Sequence, residues 1–249
     1  MHTVKVSLGF IEIAASLKFF SQAEISNENL RWLPRELFLI FWAGIFFIFG
    51  LYLLALIRLK DEEAHGIGGG RLSCALVAVL ASSYFFFGAL GYPLDWVTDT
   101  IAPPYHAQRL VGPDGGGAAN DSERLLVEDN LESGLAQAKA AGKRALVNFT
   151  GVTCNNCRLM ELKFERDPTL KRDLKKYVEI RLHTDKSGSE AVEMRSQRFQ
   201  EYKVRVAASE ANPIYMIVEP DLPEKPLEIF PGADLAGSRF HAFLERNVK

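Results

Sequence analysis

Hydrophobic residues are distributed unevenly along the chain, and most of the long apolar stretches lie before residue 98. Residues 37–57 and residues 72–94 carry no charged side chain at all. A helix of either length rises about 30 Å, the thickness of the hydrocarbon core of a bilayer. Because a chain this short could not enclose two such helices in a soluble domain, both stretches are predicted to be transmembrane helices.

A third apolar stretch, residues 4–20, is interrupted by Lys5, Glu12 and Lys18. We predict that it also spans the membrane, with Glu12 facing protein or water near mid-membrane. The alternative is an amphipathic helix at the membrane surface, with Glu12 on its wet face. Residues 1–97 are therefore predicted to form a helical membrane region of two to three transmembrane helices, in contact with the lipid bilayer.

The pattern changes after the Pro/Gly-rich residues 98–122, which bury little and are predicted to be a linker. Residues 123–249 are predicted to form a separate domain in which strands and helices alternate. The predicted helices are 130–141, 157–164, 168–176, 190–202 and a last one that Asp234 caps, and the predicted strands are 144–150, 177–183, 214–218 and 227–230. This order predicts an α/β thioredoxin fold, a central mixed sheet flanked by helices, C-terminal to the membrane region.

Charge and cysteine content narrow the possible functions. The net charge is −2 and the isoelectric point is about 6.2. The chain lacks the basic excess that neutralises phosphates, so no nucleic acid is expected as a partner. Cys74, Cys154 and Cys157 are too few for a disulfide-stapled scaffold. Cys74 lies in a predicted transmembrane helix and is interpreted as a small apolar packing residue.

The segment Cys154-Asn-Asn-Cys157 lies between a predicted strand and a predicted helix. The helix N-terminus stabilises an anion, so Cys154 is predicted to be the attacking thiolate and Cys157 the resolving thiol. The redox-active Cys154–Cys157 disulfide would then need no cofactor. The same spacing makes half of a zinc site, but the other half is missing because His183 stands alone. Structural zinc and an incidental cysteine pair are the less favoured alternatives, and no metal is expected.

These residues resemble a known family. Residues 149–161, with the sequence FTGVTCNNCRLME, are similar to the active-site segment of the DsbD family of membrane-bound thiol:disulfide interchange proteins. Residues 8–20 resemble a membrane segment of that family, and Asn212-Pro213 falls where thioredoxin folds place a cis-proline. The resemblance covers nearly the whole chain, as the end of the family's membrane domain plus its C-terminal thioredoxin-like domain.

The resemblance implies a protein-disulfide reductase of the bacterial inner membrane. Its thioredoxin-like domain would lie in the periplasm and pass reducing equivalents to oxidised periplasmic thiol proteins. The family's membrane domain carries electrons through its own cysteine pair, yet only Cys74 precedes Cys154 here. The electron donor would therefore be supplied by missing upstream helices or by a partner subunit.

The resemblance also assigns roles to residues around the cysteines. Thr153 replaces a tryptophan common in thioredoxins, and it is expected to contact substrate together with Asn212 and a cis Pro213, whose segment would pair with a substrate strand. The alternative for Pro213 is an ordinary trans proline. Asn148 stands where thioredoxins carry a buried aspartate, and an amide cannot take up a proton there.

Glu161 matches an acidic position of the family and lies one helical turn after Cys157. We predict that it takes the proton of Cys157, making it the third catalytic residue. The alternative is a solvated glutamate paired with Lys163 or Arg158.

Two other functions remain open at this point. One is a tethered thioredoxin-like protein dedicated to cytochrome c maturation, and the other is a redox-inert binding module. The presence of both Cys154 and Cys157 argues against the second.

Overall fold

The computed structural model describes residues 2–27, 32–57, 67–103 and 124–248. The chain divides into two compact units, one formed mainly by the N-terminal helices and one by the C-terminal residues. The described part of the N-terminal unit contains α1 (His2–Ser26), α2 (Arg35–Leu53), α3 (Gly69–Ala89) and α4 (Trp96–Ile101).

Helices α2 and α3 pack closely along their length. Gly50 on α2 allows this approach, because a Cβ atom there would lie 2.8 Å from Val79 Cγ2 on α3. The Ser82 hydroxyl of α3 donates a hydrogen bond of 2.8 Å to the Ala43 carbonyl oxygen of α2. Small residues at these positions bring the two backbones together, as in helix pairs within membranes.

Within the described residues, α2 and α3 are long and apolar enough, by length and composition, to cross a membrane. Helix α1 covers the predicted stretch 4–20 but is not one of these two, and its span stays a prediction. The predicted stretch 72–94 extends past the end of α3 at Ala89. The helix stops there because Gly91 takes a left-handed φ of 93° and Pro93 follows. The predicted linker begins within α4, since residues 98–101 form the last part of that helix. Residues 104–122 of the linker lie outside the described residues.

The described C-terminal unit contains a five-stranded sheet in the order β1-β3-β2-β4-β5. Strand β3 pairs in parallel with β1 and β2, whereas β4 pairs antiparallel with β2 and β5. Its elements are β1 (Leu125–Glu128), α5 (Leu131–Ala140), β2 (Arg144–Thr150), α6 (Asn155–Arg166), α7 (Pro168–Leu174), β3 (Tyr177–His183), α8 (Glu190–Ala207), β4 (Ile214–Val218), β5 (Glu228–Pro231) and α9 (Ser238–Arg246). This is a thioredoxin fold, which confirms the predicted fold class.

Helices cover both faces of this sheet. Val147, Ile180 and Met216 belong to a core that α5 and α8 complete with Ala138 and Tyr202. The alternate strand residues face a second core, to which α6, α7 and α9 contribute Met160, Phe164, Leu170, Leu174, Phe240, Phe243 and Leu244. Because side chains alternate along a strand, the polar residues Asn148 and Glu179 lie on this second face, beneath α6.

Strand β1 and the start of the last helix differ from the sequence-based expectation. Strand β1 was not predicted, because four residues at a sheet edge give too short a pattern. Asp234 does not occupy the N-cap of the last helix, since the chain turns once more and Gly237, with a φ of 83°, precedes α9. Asp234 nevertheless accepts a 3.0 Å hydrogen bond from the Phe240 backbone N–H.

Candidate active site

Cys154 and Cys157 lie at the junction of β2 and α6, where the central strand ends and a helix begins. The two cysteines form a disulfide. Cys154 is the N-cap residue of α6, and its Sγ accepts a 3.1 Å hydrogen bond from the Cys157 backbone N–H. Cys154 is half-buried, whereas Cys157 is only 1% exposed. The cysteines therefore differ in access to a partner and in position relative to the helix.

This position favours negative charge on Cys154 once the disulfide is reduced. The first backbone N–H groups of a helix are unpaired, and the helix dipole adds partial positive charge at this end. The first turn of α6 contains Asn155 and Asn156 and no acidic residue that would oppose this effect. A thiol at such a position has a lowered pKa and reacts as the thiolate.

Asp185 holds the loop that leads into Cys154. It follows β3, whose carboxyl end lies at the same sheet edge as that of its parallel neighbour β2. Its carboxylate accepts hydrogen bonds from Val152 N (2.8 Å), Thr153 N (3.0 Å) and Thr153 Oγ1 (2.7 Å). Gly151 makes room for it, because a Cβ atom there would lie 2.8 Å from Asp185 Oδ2. Thr153 is exposed beside Cys154, but its hydroxyl is bonded to Asp185.

The Asn212–Pro213 segment lies at the same edge of the sheet. Its peptide bond is cis, the geometry expected for it from the sequence. Strand β4 begins at Ile214, opposite Phe149 of β2, so the proline comes beside the end of β2. The Asn212 side-chain amide donates to the Thr150 carbonyl oxygen at 3.3 Å and to Thr184 Oγ1 at 2.8 Å. The segment is thus tied to the strand end that precedes the cysteine loop.

A buried ionic cluster lies beneath α6. Asn148 donates a 3.3 Å hydrogen bond to Glu179 Oε1, and Glu179 also pairs with Arg181 and Arg124. Burial by itself would raise the pKa of Glu179, but the two guanidinium groups outweigh it and lower that pKa to about 2. The carboxylate next to Asn148 is therefore held ionised and has little affinity for a proton.

Glu161 lies on α6 one turn after Cys157 and is mostly shielded from solvent. Its carboxylate accepts a 3.4 Å hydrogen bond from Thr150 Oγ1 and lies 3.8 Å from Arg158 Nη1. Arg158 was one of the partners considered from the sequence, whereas Lys163 pairs instead with Asp167 at 3.3 Å. Glu161 thus bridges the end of β2 and the helix that carries the cysteines.

The structure brings together the six residues predicted for the site at one edge of the sheet and the adjoining end of α6, namely Thr153, Cys154, Cys157, Glu161, Asn212 and Pro213. Sequence reasoning missed Asp185 and Lys203, which bond to the two loops of this edge. Asp185 could have been identified as a site residue from the sequence, since it is a polar residue just after a predicted strand. Lys203 could not, because the sequence does not show which loop its helix approaches.

Two further points raised by the sequence concern Cys74 and metal binding. Cys74 is an exposed free cysteine on α3 and is not packed inside its unit. Across the described ranges, no group of three or more His, Cys, Asp or Glu side chains is arranged to hold a metal ion.

The fold and the Cys154–Cys157 pair define a thioredoxin-like domain with the spacing of a thiol–disulfide redox centre. A family model described as "Thioredoxin-like" matches residues 127–220. The matched segment runs from β1 through β4 and includes both cysteines and Asn212-Pro213. A sequence comparison with curated proteins gives no match.

Proposed function

We propose that this protein is a membrane-anchored disulfide reductase that passes reducing equivalents through the Cys154–Cys157 dithiol to oxidised periplasmic thiol proteins. The observation that supports this proposal is that the two cysteines differ in burial and in position on α6. Cys154 is half-buried at the N-terminus of α6, and Cys157 is buried in its first turn. A substrate disulfide can reach the first sulfur, whereas the second sulfur is placed to react with the first.

The exchange proceeds in two balanced steps. The Cys154 thiolate attacks one sulfur of the substrate disulfide, that S–S bond breaks, and the other substrate sulfur leaves as a thiolate and takes up a proton. Cys157 then loses its proton and attacks Cys154 Sγ, which forms the Cys154–Cys157 bond and releases the second substrate thiol. Two electrons pass to the substrate, and the protein ends in the disulfide form seen here.

Glu161 is the proposed acceptor of the Cys157 proton. Residues four apart share one face of a helix, and the Glu161 side chain is only 16% exposed. The Glu161→Gln variant should slow the second step and change its pH dependence, measured by the decay of the mixed disulfide in a stopped-flow experiment. The matched control is Glu132→Gln on α5, whose side chain is exposed. An unchanged pH profile in Glu161→Gln would exclude the proton role.

The proposed location is the bacterial inner membrane, with α2 and α3 as anchors and the thioredoxin-like domain in the periplasm. The resemblance to the DsbD family and the apolar character of these two helices support this proposal. The electron donor would be a membrane partner, or upstream helices, with its own cysteine pair, because Cys74 is the only cysteine before Cys154. Retention of the chain in membranes after alkaline extraction tests the anchor.

The central experiment is the reduction potential of the whole 249-residue chain in detergent micelles, equilibrated with dithiothreitol or glutathione couples. The fraction of reduced Cys154 and Cys157 is read from the mass added by alkylation, with the double variant Cys154→Ser, Cys157→Ser as the blank. A potential near the thioredoxin value of about −270 mV supports reductase function. A potential near about −120 mV, the value of a strong oxidant, would make the domain a disulfide donor and overturn the proposal.

A further inference from the structure

Lys203 is a charged residue with no exposed surface, on the helix α8. Its Nζ donates to the carbonyl oxygens of Glu210 (2.7 Å) and Ala211 (3.2 Å) and to Asn212 Oδ1 (2.8 Å). An ammonium group has three protons, and here each has one acceptor. Burial lowers the pKa of Lys203, while the charges of Glu210 and Asp185 oppose that effect. A buried cation is costly unless it is paired in this way.

The three acceptors are consecutive residues that lead directly into Pro213. The bond to Asn212 also fixes the orientation of that side chain, because Oδ1 must face the ammonium group of Lys203. The amide nitrogen then points to the Thr150 carbonyl oxygen at 3.3 Å and to Thr184 Oγ1 at 2.8 Å. A continuous chain of hydrogen bonds therefore connects α8, the segment before Pro213 and the end of β2.

We propose that Lys203 is a positioning residue that holds the 210–212 segment in the conformation that receives a substrate strand beside Cys154. This inference rests on the proposed disulfide exchange and specifies how the same site recognises an extended protein substrate. Strand addition requires a fixed backbone, because each main-chain hydrogen bond to the substrate depends on its geometry. Within the described residues, the hydrogen bonds of the Lys203 ammonium group go to the 210–212 segment. Its loss should therefore weaken substrate recognition and leave the reactivity of the cysteines unchanged.

The test compares two oxidants of the reduced 249-residue chain in detergent micelles. Insulin supplies a disulfide within a polypeptide, and oxidised glutathione supplies a small disulfide with little backbone to bind. The Lys203→Met variant keeps the aliphatic stem and removes the ammonium group. We expect kcat/KM for insulin to fall by about tenfold through a raised KM, which is the effect of losing one well-placed hydrogen bond to substrate. The rate with glutathione should stay at the wild-type value.

Two further variants complete the test. Lys139→Met on α5 is the control, since Lys139 forms an exposed ion pair with Asp221 and lies near the start of β2, away from the cysteines. Lys203→Gln has a shorter, uncharged side chain that cannot reach all three acceptors, and it should show the same selective loss for insulin. This variant carries the test if Lys203→Met does not fold, as judged by circular dichroism.

The outcomes separate this inference from the proposed function. Wild-type insulin kinetics in the folded Lys203→Met variant, or in Lys203→Gln where only that variant folds, would overturn the positioning role. An equal loss with insulin and glutathione would also overturn it, because the defect would then lie at the cysteines. If the wild-type chain reduces neither oxidant, the proposed exchange itself fails.

Discussion

Glu179 offers the sharpest test of the electrostatics beneath the cysteines. It is 1% exposed on β3 and is paired with Arg181 and Arg124, and it also accepts a hydrogen bond from Asn148. The Glu179→Gln variant keeps the shape and the acceptor oxygen but removes the charge. Arg124 then loses this counterion, and Arg181 keeps a longer ion pair with Glu128 at 3.9 Å. The loss costs about 3–5 kcal/mol of the free energy of unfolding near neutral pH.

The pKa of Glu179 gives a second way to work out how much its charge stabilises the folded protein. The difference between about 2 in the folded protein and the ordinary value of 4.5 corresponds to a stabilisation on the order of 3 kcal/mol. Because folding lowers this pKa, the stabilisation is complete above about pH 4.5 and is lost as the pH falls toward about 2. Between pH 6 and pH 3 the wild-type protein should therefore lose roughly 2 kcal/mol more stability than Glu179→Gln.

Urea unfolding of the chain in detergent measures both effects. Near-ultraviolet circular dichroism is a suitable signal, because the tyrosines of this unit, Tyr177, Tyr202 and Tyr215, are all buried. Glu224→Gln is the control, since Glu224 pairs with Arg205 at the surface and its loss should leave the free energy of unfolding nearly unchanged. Equal acid sensitivity in the wild type and Glu179→Gln would refute the argument that the arginines hold Glu179 ionised.

Two further predictions concern the cysteine loop. Replacing Cys157 by Ser should trap a mixed disulfide between Cys154 and insulin on non-reducing gels, and Cys154→Ser should trap none; a trapped complex in the latter would reverse the assigned roles. Gly151→Ala should destabilise the unit by about 1–3 kcal/mol, because the new Cβ meets the Asp185 carboxylate. In the Asp185→Ala background that cost should nearly vanish in urea unfolding, whereas additive costs would show that the carboxylate is not the obstacle.

The central strands could be predicted from the sequence residue by residue. The predicted strands 144–150, 177–183 and 214–218 have the same bounds as β2, β3 and β4. Both faces of these strands are covered by helices, so β2 and β4 are short, largely apolar runs with clear ends, whereas β3 was recognised from its alternation of apolar and polar residues. The ends of the helices were predicted less accurately from the sequence, because helix caps depend on local contacts. Helix α6 begins at Asn155 rather than Cys157, since the Cys154 sulfur caps it.

The contacts that organise the site could not be predicted in the same way. The cysteines were found because their spacing and their place at a strand–helix junction carry the chemistry. Asp185, Glu179 and Lys203 act through residues distant in sequence, and a lone charged residue on a strand, helix or loop gives no indication of its partner. Glu179 in particular lies in an alternating run, YVEIRLH, whose polar positions would be expected to face solvent, and the pairing with Arg181 and Arg124 explains its burial.

Asn148 stands where thioredoxins carry a buried aspartate, and its role can be understood together with that of Glu179. Both side chains lie on the face of the sheet beneath α6, and the carboxylate on β3 is held by arginines at a pKa of about 2. Neither an amide nor such a carboxylate can accept the Cys157 proton near neutral pH, whereas Glu161 lies one helical turn after Cys157 and bonds to the end of β2, so it is the acceptor that we propose. Asn148→Asp should therefore restore exchange to Glu161→Gln, because a carboxylate on this face can take up a proton, which the amide cannot. Failure of the folded double variant to regain the second step would show that the proton leaves Cys157 by another route.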